Sequence, residues 1–267
     1  MEMIELSYAD LALCILLLSM LALFQRNLAP GLTRQLFISM VRMLLQLSII
    51  GLVLTWLFSH VQLSWILGIA LLMILAAGRE ANARQTYSWV TRWNIWISTV
   101  ALFIATTSML LLMLLAFIQA TPWYHPQYFI PLLGMLLGNS LNGVSLAREY
   151  MTVTAHDAQE RIEGQLMQGA NWLQATVFLR RQAQHNAMIP AINSMAAAGI
   201  ISLPGMMTGQ ILAGTDPSQA IRYQIVILIL IAIATGLGSL ITTFFTARQL
   251  FDKRQRLRLD RLKPARH

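Results

Sequence analysis

Long runs of apolar residues, separated by shorter polar stretches, dominate this chain. Seven of the runs approach or exceed the roughly 20 residues that a helix needs to cross a bilayer. They lie at residues 6–24, 36–58, 61–77, 93–118, 128–147, 187–213 and 225–247. The pattern predicts an all-α integral membrane protein with about seven transmembrane helices.

The composition supports this prediction and narrows the function. Of the 267 residues, 57% are hydrophobic and 11% are charged, whereas a soluble domain carries about 25% charged residues. The single cysteine, Cys14, excludes an internal disulfide. Neither lysine, Lys253 or Lys263, stands in a Gly-x-x-x-x-Gly-Lys-Ser/Thr motif, so the chain is not itself a standard P-loop ATPase. Hydrolase and metalloprotease motifs are also missing, and we predict no catalytic residue.

Basic residues are distributed unevenly between the loops, which sets the expected orientation. If the N-terminus is outside, nearly all basic residues of the loops and the tail lie inside, and Arg222 alone remains outside. Those inside are Arg26, Arg34, Arg79, Arg84, Arg92, Arg148, Arg161, Arg180, Arg181 and those of the tail. We therefore predict that the N-terminus is outside and the C-terminus is cytoplasmic.

The expected organisation is a membrane domain at residues 1–247, with a cytoplasmic loop at 149–187, followed by a basic cytoplasmic tail at 248–267. The tail holds eight of the 19 lysines and arginines. A basic segment that follows a membrane helix is typical of contact with anionic lipid. A nucleic-acid partner is not expected for so apolar a chain.

The cytoplasmic loop contains an amphipathic pattern. Apolar or small residues recur at three- and four-residue spacing, at Ile162, Leu166, Gly169, Leu173 and Val177. One interpretation is a coupling helix that lays this face into a groove of a partner. The other is a helix that lies flat at the membrane interface, since it would show the same pattern. The small pair Gly169-Ala170 favours coupling, because small residues permit close approach of another backbone.

The sixth apolar segment is interrupted by Pro204-Gly205 and continues with Met206 and Met207. Proline removes a backbone donor and obstructs the preceding turn, and backbone groups exposed in this way within a membrane need protein or water as partners. The break is a candidate wall of a transport path. The alternative is a structural kink, or a packing face formed by Gly205 and Gly209.

Several other polar side chains lie inside apolar segments. Asn139, Asn142 and Asn193 either line the path or hydrogen-bond neighbouring helices, because membrane amides normally face the bundle interior. Arg42 and Gln46 lie one turn apart in the second segment, and the arginine either snorkels to the interface or seeks a carboxylate. No cluster of carboxylates and histidines indicates a metal site, so the metal ligands stay unknown.

These runs together resemble the FetB-type permease family of ABC transporters. The longest match is Leu-Pro-Gly-Met-Met-x-Gly at 203–209, followed by Ala-Gly-x-Asp-Pro at 213–217 and Tyr-Gln at 223–224. Further matches are Arg42-x-x-x-Gln46 with Gly51, Gly134-Met135 with Gly138-Asn139, and the loop run 161–170. Asn171-Trp172 departs from the family pattern, in which something closer to Thr-Pro is expected.

The resemblance implies a multi-pass permease of the bacterial inner membrane that works as a dimer with a separate cytosolic P-loop ATPase. ATP and magnesium would be bound by that partner, and no cofactor is expected in this chain. Bacterial members are linked to iron export, and plant relatives to aluminium tolerance. The residues expected to couple to the ATPase are Glu163, Gly164, Leu166, Gly169 and Ala170.

The sequence therefore predicts the transmembrane subunit of an ABC exporter of metal ions, with iron indicated by the resemblance alone. The predicted path residues are Asn139, Asn142, Asn193, Pro204, Gly205, Met206 and Met207. Two alternatives stay open. One is a secondary carrier of a small solute that works without ATP, and the other is a membrane scaffold that transports nothing.

Overall fold

The computed structural model describes residues 7–25, 30–89 and 93–264. Six helices in these ranges are long and apolar enough to cross a membrane: Tyr8–Gln25, Gly31–Ser59, Leu63–Ala83, Ile95–Ile118, Pro126–Asp157 and Pro217–Gln249. The prediction of an all-α integral membrane protein is confirmed. The orientation stays a prediction, and Arg26 and Arg92, which contribute to it, lie outside the described residues.

The first compact unit contains helices α1 (Tyr8–Gln25) and α2 (Pro30–Ser59). Within it the Thr33 hydroxyl donates to the Ala22 carbonyl across 2.9 Å. Arg42 and Gln46 lie one turn apart on α2, and both side chains are exposed. These two residues therefore share a helix face, as their spacing predicts.

The second unit is a helical bundle with two long central helices. Its long members are α3 (Leu63–Ala83), α4 (Trp93–Leu112, continued by a π-helix at Met113–Ile118), α5 (Pro126–Asp157), α8 (Val177–Ala197) and α10 (Pro217–Gln249). The central α5 packs on α3, α4, α8 and α10. Helices α5 and α10 both have a proline in their first turn. A backbone N–H at that position would have no partner within the helix, so proline, which lacks one, is well suited to it.

Small residues allow these helices to approach closely. A Cβ atom at Gly143 of α5 would collide with the Thr235 side chain of α10 and would lie 3.0 Å from the Ala187 carbonyl oxygen of α8. On α10, a Cβ atom at Gly238 would lie 3.1 Å from Val144. Close packing by small residues is the usual way in which membrane helices associate. It holds α5, α8 and α10 together as one core.

The predicted sixth membrane segment, 187–213, is not one helix. Helix α8 begins ten residues earlier, at Val177, and ends at Ala197, and the short helix α9 (Gly205–Leu212) follows after a turn. The chain leaves the helix because Ala198 is extended (φ −63°, ψ 129°) and Gly199 has a φ of +86°. The break therefore spans residues 198–204. It includes Pro204, where the sequence predicted an interruption, but it begins six residues earlier.

The tail folds back onto the bundle. Strand β2 (Leu262–Pro264) pairs antiparallel with β1 (Tyr87–Trp89), and Phe251 forms a bridge with Leu257. Leu250, Phe251 and Leu262 are buried. Residues 250–264 thus belong to the folded unit, and the tail is more than the detached basic anchor that its charge suggested.

Candidate functional site

A compact region lies at the end of the bundle where the tail is. It comprises residues 147–157 of α5, helices α6 (Gln159–Met167) and α7 (Trp172–Ala175), residues 177–187 of α8, strand β1 and residues 247–264. We call it the tail-side module. One hydrophobic cluster joins these pieces: Trp89, Ala147, Met151, Ala155, Ile162, Ala175, Leu179, Ala183, Ala187, Ala247, Leu250, Phe251 and Leu262. The module therefore has a core that continues into the bundle.

Helix α6 ends in a glycine cap. Gly169 has a φ of +88°, its N–H donates to the Leu166 carbonyl (3.0 Å), and the Ala170 N–H donates to the Gln165 carbonyl (3.1 Å). These two bonds define a Schellman motif, which satisfies the last carbonyl groups of a helix. Gly169-Ala170 therefore lies in a turn. The prediction of one continuous amphipathic helix through Gly169, Leu173 and Val177 is wrong.

The next helix starts directly after this turn. The Asn171 side chain accepts from the Gln174 N–H (2.9 Å), and the Gln174 side chain accepts from the Asn171 N–H (2.9 Å). This reciprocal pair is a capping box. This capping box explains locally why Asn171-Trp172 departs from the family pattern, because asparagine is among the most favourable residues at the N-cap of a helix.

A surface groove of about 750 Å³ separates α6 and its turn from the tail. We call it the docking groove. Its lining residues are Glu163, Leu166, Met167, Gly169, Ala170 and Asn171 on one side, and Arg254, Gln255, Arg256 and Leu257 on the other. The Met167 side chain is 84% exposed. Methionine is a flexible apolar side chain that is frequent at adaptable protein-binding surfaces.

The tail wall of the docking groove is held in shape by hydrogen bonds. Asp252 accepts from the N–H groups of Arg254 (2.8 Å) and Arg256 (3.0 Å), and from Nε of Arg256 (2.9 Å). The backbone bond from Arg256 is the main reason why the pKa of Asp252 lies below its ordinary value. Gln255 adopts a φ of +58° and accepts from the Trp172 N–H (3.1 Å). The two walls are thus joined to each other.

The structure brings most of the predicted coupling residues together. Glu163, Leu166, Gly169 and Ala170 line the docking groove, whereas Gly164 lies on α6 outside the lining. Sequence reasoning missed the contribution of the tail. The apolar residues Leu250, Phe251 and Leu257, which flank the charged run, carry a weak signal for it, since a simple lipid anchor needs no buried Leu250 or Phe251.

At the opposite end of the bundle, a cavity of about 510 Å³ lies among α5, α9, α10 and the π-helix. We call it the methionine cavity. Its lining combines three thioethers, three amides and two phenols: Met113, Met135, Met206, Gln127, Gln210, Gln219, Tyr128 and Tyr223. The Gln210 Oε1 atom is shielded from solvent and has no hydrogen-bond partner within the described part of the chain. An unsatisfied acceptor of this kind suits a ligand that is a cation or a hydrogen-bond donor.

The predicted path residues are only partly assembled there. Met206 lines the methionine cavity, whereas Met207 is buried. The Pro204 carbonyl is not exposed as predicted, because it accepts from the Thr208 N–H (3.1 Å) and the Thr208 hydroxyl (3.2 Å). A Cβ atom added at Gly205 or Gly209 would meet no neighbouring atom of the described chain within 4 Å. Pro204-Gly205 thus starts α9 and does not line the cavity.

The three asparagines lie outside the lining of the methionine cavity. Asn139 donates to the Met135 carbonyl (2.8 Å), and Asn142 accepts from Arg84 (3.0 Å). Asn193 is exposed on α8. Asn142 thus bonds a residue at the end of a neighbouring helix, as the alternative predicted, whereas Asn139 bonds a carbonyl of its own helix.

A buried arginine is the main polar feature that sequence reasoning missed. Arg148 of α5 is 1% exposed and donates to the Ser98 hydroxyl of α4 (2.7 Å) and to the Asn82 side chain of α3. Nearby, Gln85 donates to the Ser145 carbonyl (3.2 Å), and the Thr86 N–H donates to Glu149 (2.9 Å). These bonds tie three helices together beside the tail-side module. The signal was present, since Arg148 directly follows an apolar segment.

Metal-binding clusters of the usual kind do not occur in the described ranges. No group of three or more histidine, cysteine, aspartate or glutamate side chains is placed to hold a metal ion there. The methionine cavity offers thioether sulfur and amide oxygen atoms, which are weaker ligands.

Comparisons with known proteins identify the relatives of this chain. The model of the family described as "Uncharacterised protein family (UPF0014)" matches residues 8–251. A UPF0014 membrane protein of Synechocystis is 36% identical, over 96% of this chain and 98% of its own length. The probable iron export permease protein FetB of Escherichia coli is 30% identical, over 95% and 96%. The protein ALUMINUM SENSITIVE 3 of Arabidopsis thaliana is 31% identical, over 92% and 87%. No solved structure matches the chain.

Proposed function

The chain belongs to the UPF0014 family of membrane proteins, and from this premise we propose that it is the transmembrane permease subunit of an ABC exporter. In this proposal two copies span the inner membrane, and a separate P-loop ATPase binds ATP and magnesium. The relative named as a probable iron export permease makes iron the first substrate to test.

The observation that carries the proposal is the docking groove. It is exposed, it combines the apolar Leu166, Met167 and Leu257 with charged residues of both signs, and it is formed before any partner binds. A preformed surface loses little entropy on association. A soluble ATPase needs a surface of this kind on the permease, on the side that carries the tail.

The helices that connect the docking groove to the methionine cavity also support the proposal, because they could transmit a movement from one to the other. Helix α5 runs from Tyr128 and Met135 at the methionine cavity to Met151 and Ala155 in the tail-side module. At 1.5 Å per residue, the 27 steps from Tyr128 to Ala155 span about 40 Å. Helix α10 makes a similar connection, since it begins with residues 219 and 223 at the cavity and reaches position 247 in the module. A displacement of the module would therefore move the two long helices that line the cavity, α5 and α10.

A reconstitution experiment tests this function. The chain is placed in proteoliposomes with a P-loop ATPase from the same genome, and ATP hydrolysis and ATP-dependent Fe²⁺ flux are measured together. We expect the permease to stimulate hydrolysis and the flux to require ATP. Flux of equal size without the ATPase would favour the secondary carrier, and absence of both activities with every candidate ATPase would favour the scaffold.

A matched pair of charge reversals locates the contact. Glu163 lines the docking groove, whereas Glu160 is exposed on the same helix outside the lining. We expect Glu163→Arg to weaken ATPase binding at least tenfold, about 1.4 kcal/mol, and Glu160→Arg to leave it nearly unchanged. Equal effects of the two substitutions would mean that the groove is not the docking surface.

A further inference from the structure

A second groove, of about 520 Å³, lies where the start of α4 meets the end of α10 and the tail. One part of its lining is apolar, and the other part is basic. The apolar part includes Trp96, Val100 and Phe245, and the basic part comprises Arg248, Lys253 and Arg261. We call it the boundary groove. None of these residues belongs to the docking groove or to the methionine cavity.

The two kinds of residue are ordered by depth. On α4, Val100 lies one turn farther into the apolar segment than Trp96, and both side chains face outward, with exposed fractions of 41% and 56%. On α10, Phe245 likewise lies deeper than Arg248, which occupies the last turn of the helix. Lys253 and Arg261 follow in the tail, outside the membrane segments. The apolar part of the groove thus lies along both helices, and its basic part is supplied by the end of α10 and by the tail.

The charge of the basic part is not cancelled within the groove. Asp252 also lines it, but its carboxylate is already held by the Arg254 and Arg256 N–H groups and by the Arg256 guanidinium. Arg256 lies outside this lining, so its charge compensates Asp252 from elsewhere. The lining therefore contains three cations, Arg248, Lys253 and Arg261, and one carboxylate, Asp252, which leaves an excess of positive charge. The Arg248 guanidinium also lies 5.6 Å from the centroid of the Trp172 ring.

From this arrangement we propose that the boundary groove binds one anionic phospholipid of the bilayer. The phosphate and the anionic headgroup lie between Arg248, Lys253 and Arg261, and an acyl chain lies along Trp96, Val100 and Phe245. Basic pockets at the membrane boundary are suited to anionic headgroups, and tryptophan is enriched at this depth. The groove is assigned to a lipid because a lipid of the surrounding bilayer satisfies both of its halves, whereas a soluble anion would use the basic half alone. This site does not depend on the proposed transport function.

The chain contains its own reporter for this site, since it has two lysines and only Lys253 lines the boundary groove. Lys263, an exposed residue of β2, is the control. The wild-type protein is placed in nanodiscs of dioleoylphosphatidylcholine with or without dioleoylphosphatidylglycerol, and an amine-reactive ester labels the lysines. We expect phosphatidylglycerol to slow the labelling of Lys253 about fivefold, the factor that corresponds to one basic residue at an anionic surface, and to change Lys263 little.

Two further arms separate a bound lipid from general attraction to a charged surface. Val100→Trp fills the apolar half of the groove, and Leu112→Trp places the same ring at an equally exposed position farther along α4. We expect Val100→Trp to abolish the protection of Lys253 and Leu112→Trp to retain it. Equal protection of both lysines, or full protection in Val100→Trp, would overturn the proposal. Protection by inorganic phosphate in pure phosphatidylcholine would do the same, because it would assign the site to a soluble anion.

Discussion

The tail-side module and the turn between α8 and α9 both interrupt the long helices, but they are built in different ways. In the module, α6 and α7 are capped on each side of a four-residue turn, and Ile162 beside it is 0% exposed. In the α8–α9 turn, Ile200 and Ile201 are 91% and 83% exposed. The module is therefore stabilised by its own packing, whereas the turn presents its apolar side chains to whatever surrounds the chain.

The comparison teaches where rigidity is expected. A partner that transmits force needs a firm surface, and the module supplies one through its caps, its hydrophobic cluster and the bond between Trp172 and Gln255. A substrate path needs a segment that can change conformation. The α8–α9 turn, with few buried contacts of its own, belongs to the class of segment that opens at low free-energy cost.

The largest difference should appear when an isoleucine in each region is shortened. Ile162→Ala removes a buried side chain from the cluster of the module and should destabilise the protein by about 2–5 kcal/mol. Ile201→Ala removes an exposed side chain and should change stability by less than about 0.5 kcal/mol. Denaturation of both variants in the same detergent checks this. Similar losses would show that the turn is as well packed as the module.

Smaller effects of opposite sign are expected at two glycines that were both predicted to couple to the ATPase, Gly164 within α6 and Gly169 in the turn that follows it. Gly169 has a positive φ, so Gly169→Ala should cost about 1–2 kcal/mol. Gly164 is helical and has no atom within 4 Å of an added Cβ, so Gly164→Ala should stabilise α6 by up to about 1 kcal/mol. Hydrogen exchange of the α6 amides measures both changes. A loss of protection in Gly164→Ala would contradict this assignment.

The smallest expected effect is on the thermal stability of the protein at acidic pH. Because hydrogen bonds lower the pKa of Asp252 in the folded chain, its ionised form stabilises the tail at any pH above its unfolded value of about 4. That contribution is lost as the pH falls through the lower folded value. The thermal midpoint of the wild-type protein should therefore fall more steeply below about pH 4 than that of Asp252→Asn. Asp157→Asn, at an exposed position, is the control, and a wild-type profile that matches Asp252→Asn would refute the role of Asp252.

Much of the fold could be predicted from the sequence, because a membrane helix is a local property of length and hydropathy. The error in the sixth segment has a physical reason: Ala198, Gly199 and Ile200 are apolar enough to continue a membrane run, but nothing in hydropathy shows that Gly199 adopts a left-handed conformation. The caps of the module were recognisable from Gly169 and from Asn171 with Gln174 three residues later.

The parts of the candidate sites that could not be predicted depend on contacts between distant segments. The tail wall of the docking groove reaches Trp172 from Gln255, 83 residues away. Likewise, Arg148 meets Ser98 and Asn82 only after three helices have packed. Neither hydrophobic periodicity nor a short sequence motif indicates contacts between residues so far apart in the chain.

The central claim is that the tail-side module drives a change at the methionine cavity, and the reactivity of a cysteine at position 206 tests it most directly. Met206→Cys, made in a Cys14→Ala background, is treated with a water-soluble thiol reagent in the presence of the ATPase, with and without a non-hydrolysable ATP analogue. Gln62→Cys, at an exposed position directly before α3 and outside the cavity lining, serves as the control. The account predicts that nucleotide changes the labelling rate of Met206→Cys several-fold and that Glu163→Arg abolishes this change. A rate that is the same in every nucleotide state, in a complex that hydrolyses ATP and transports substrate, would contradict it.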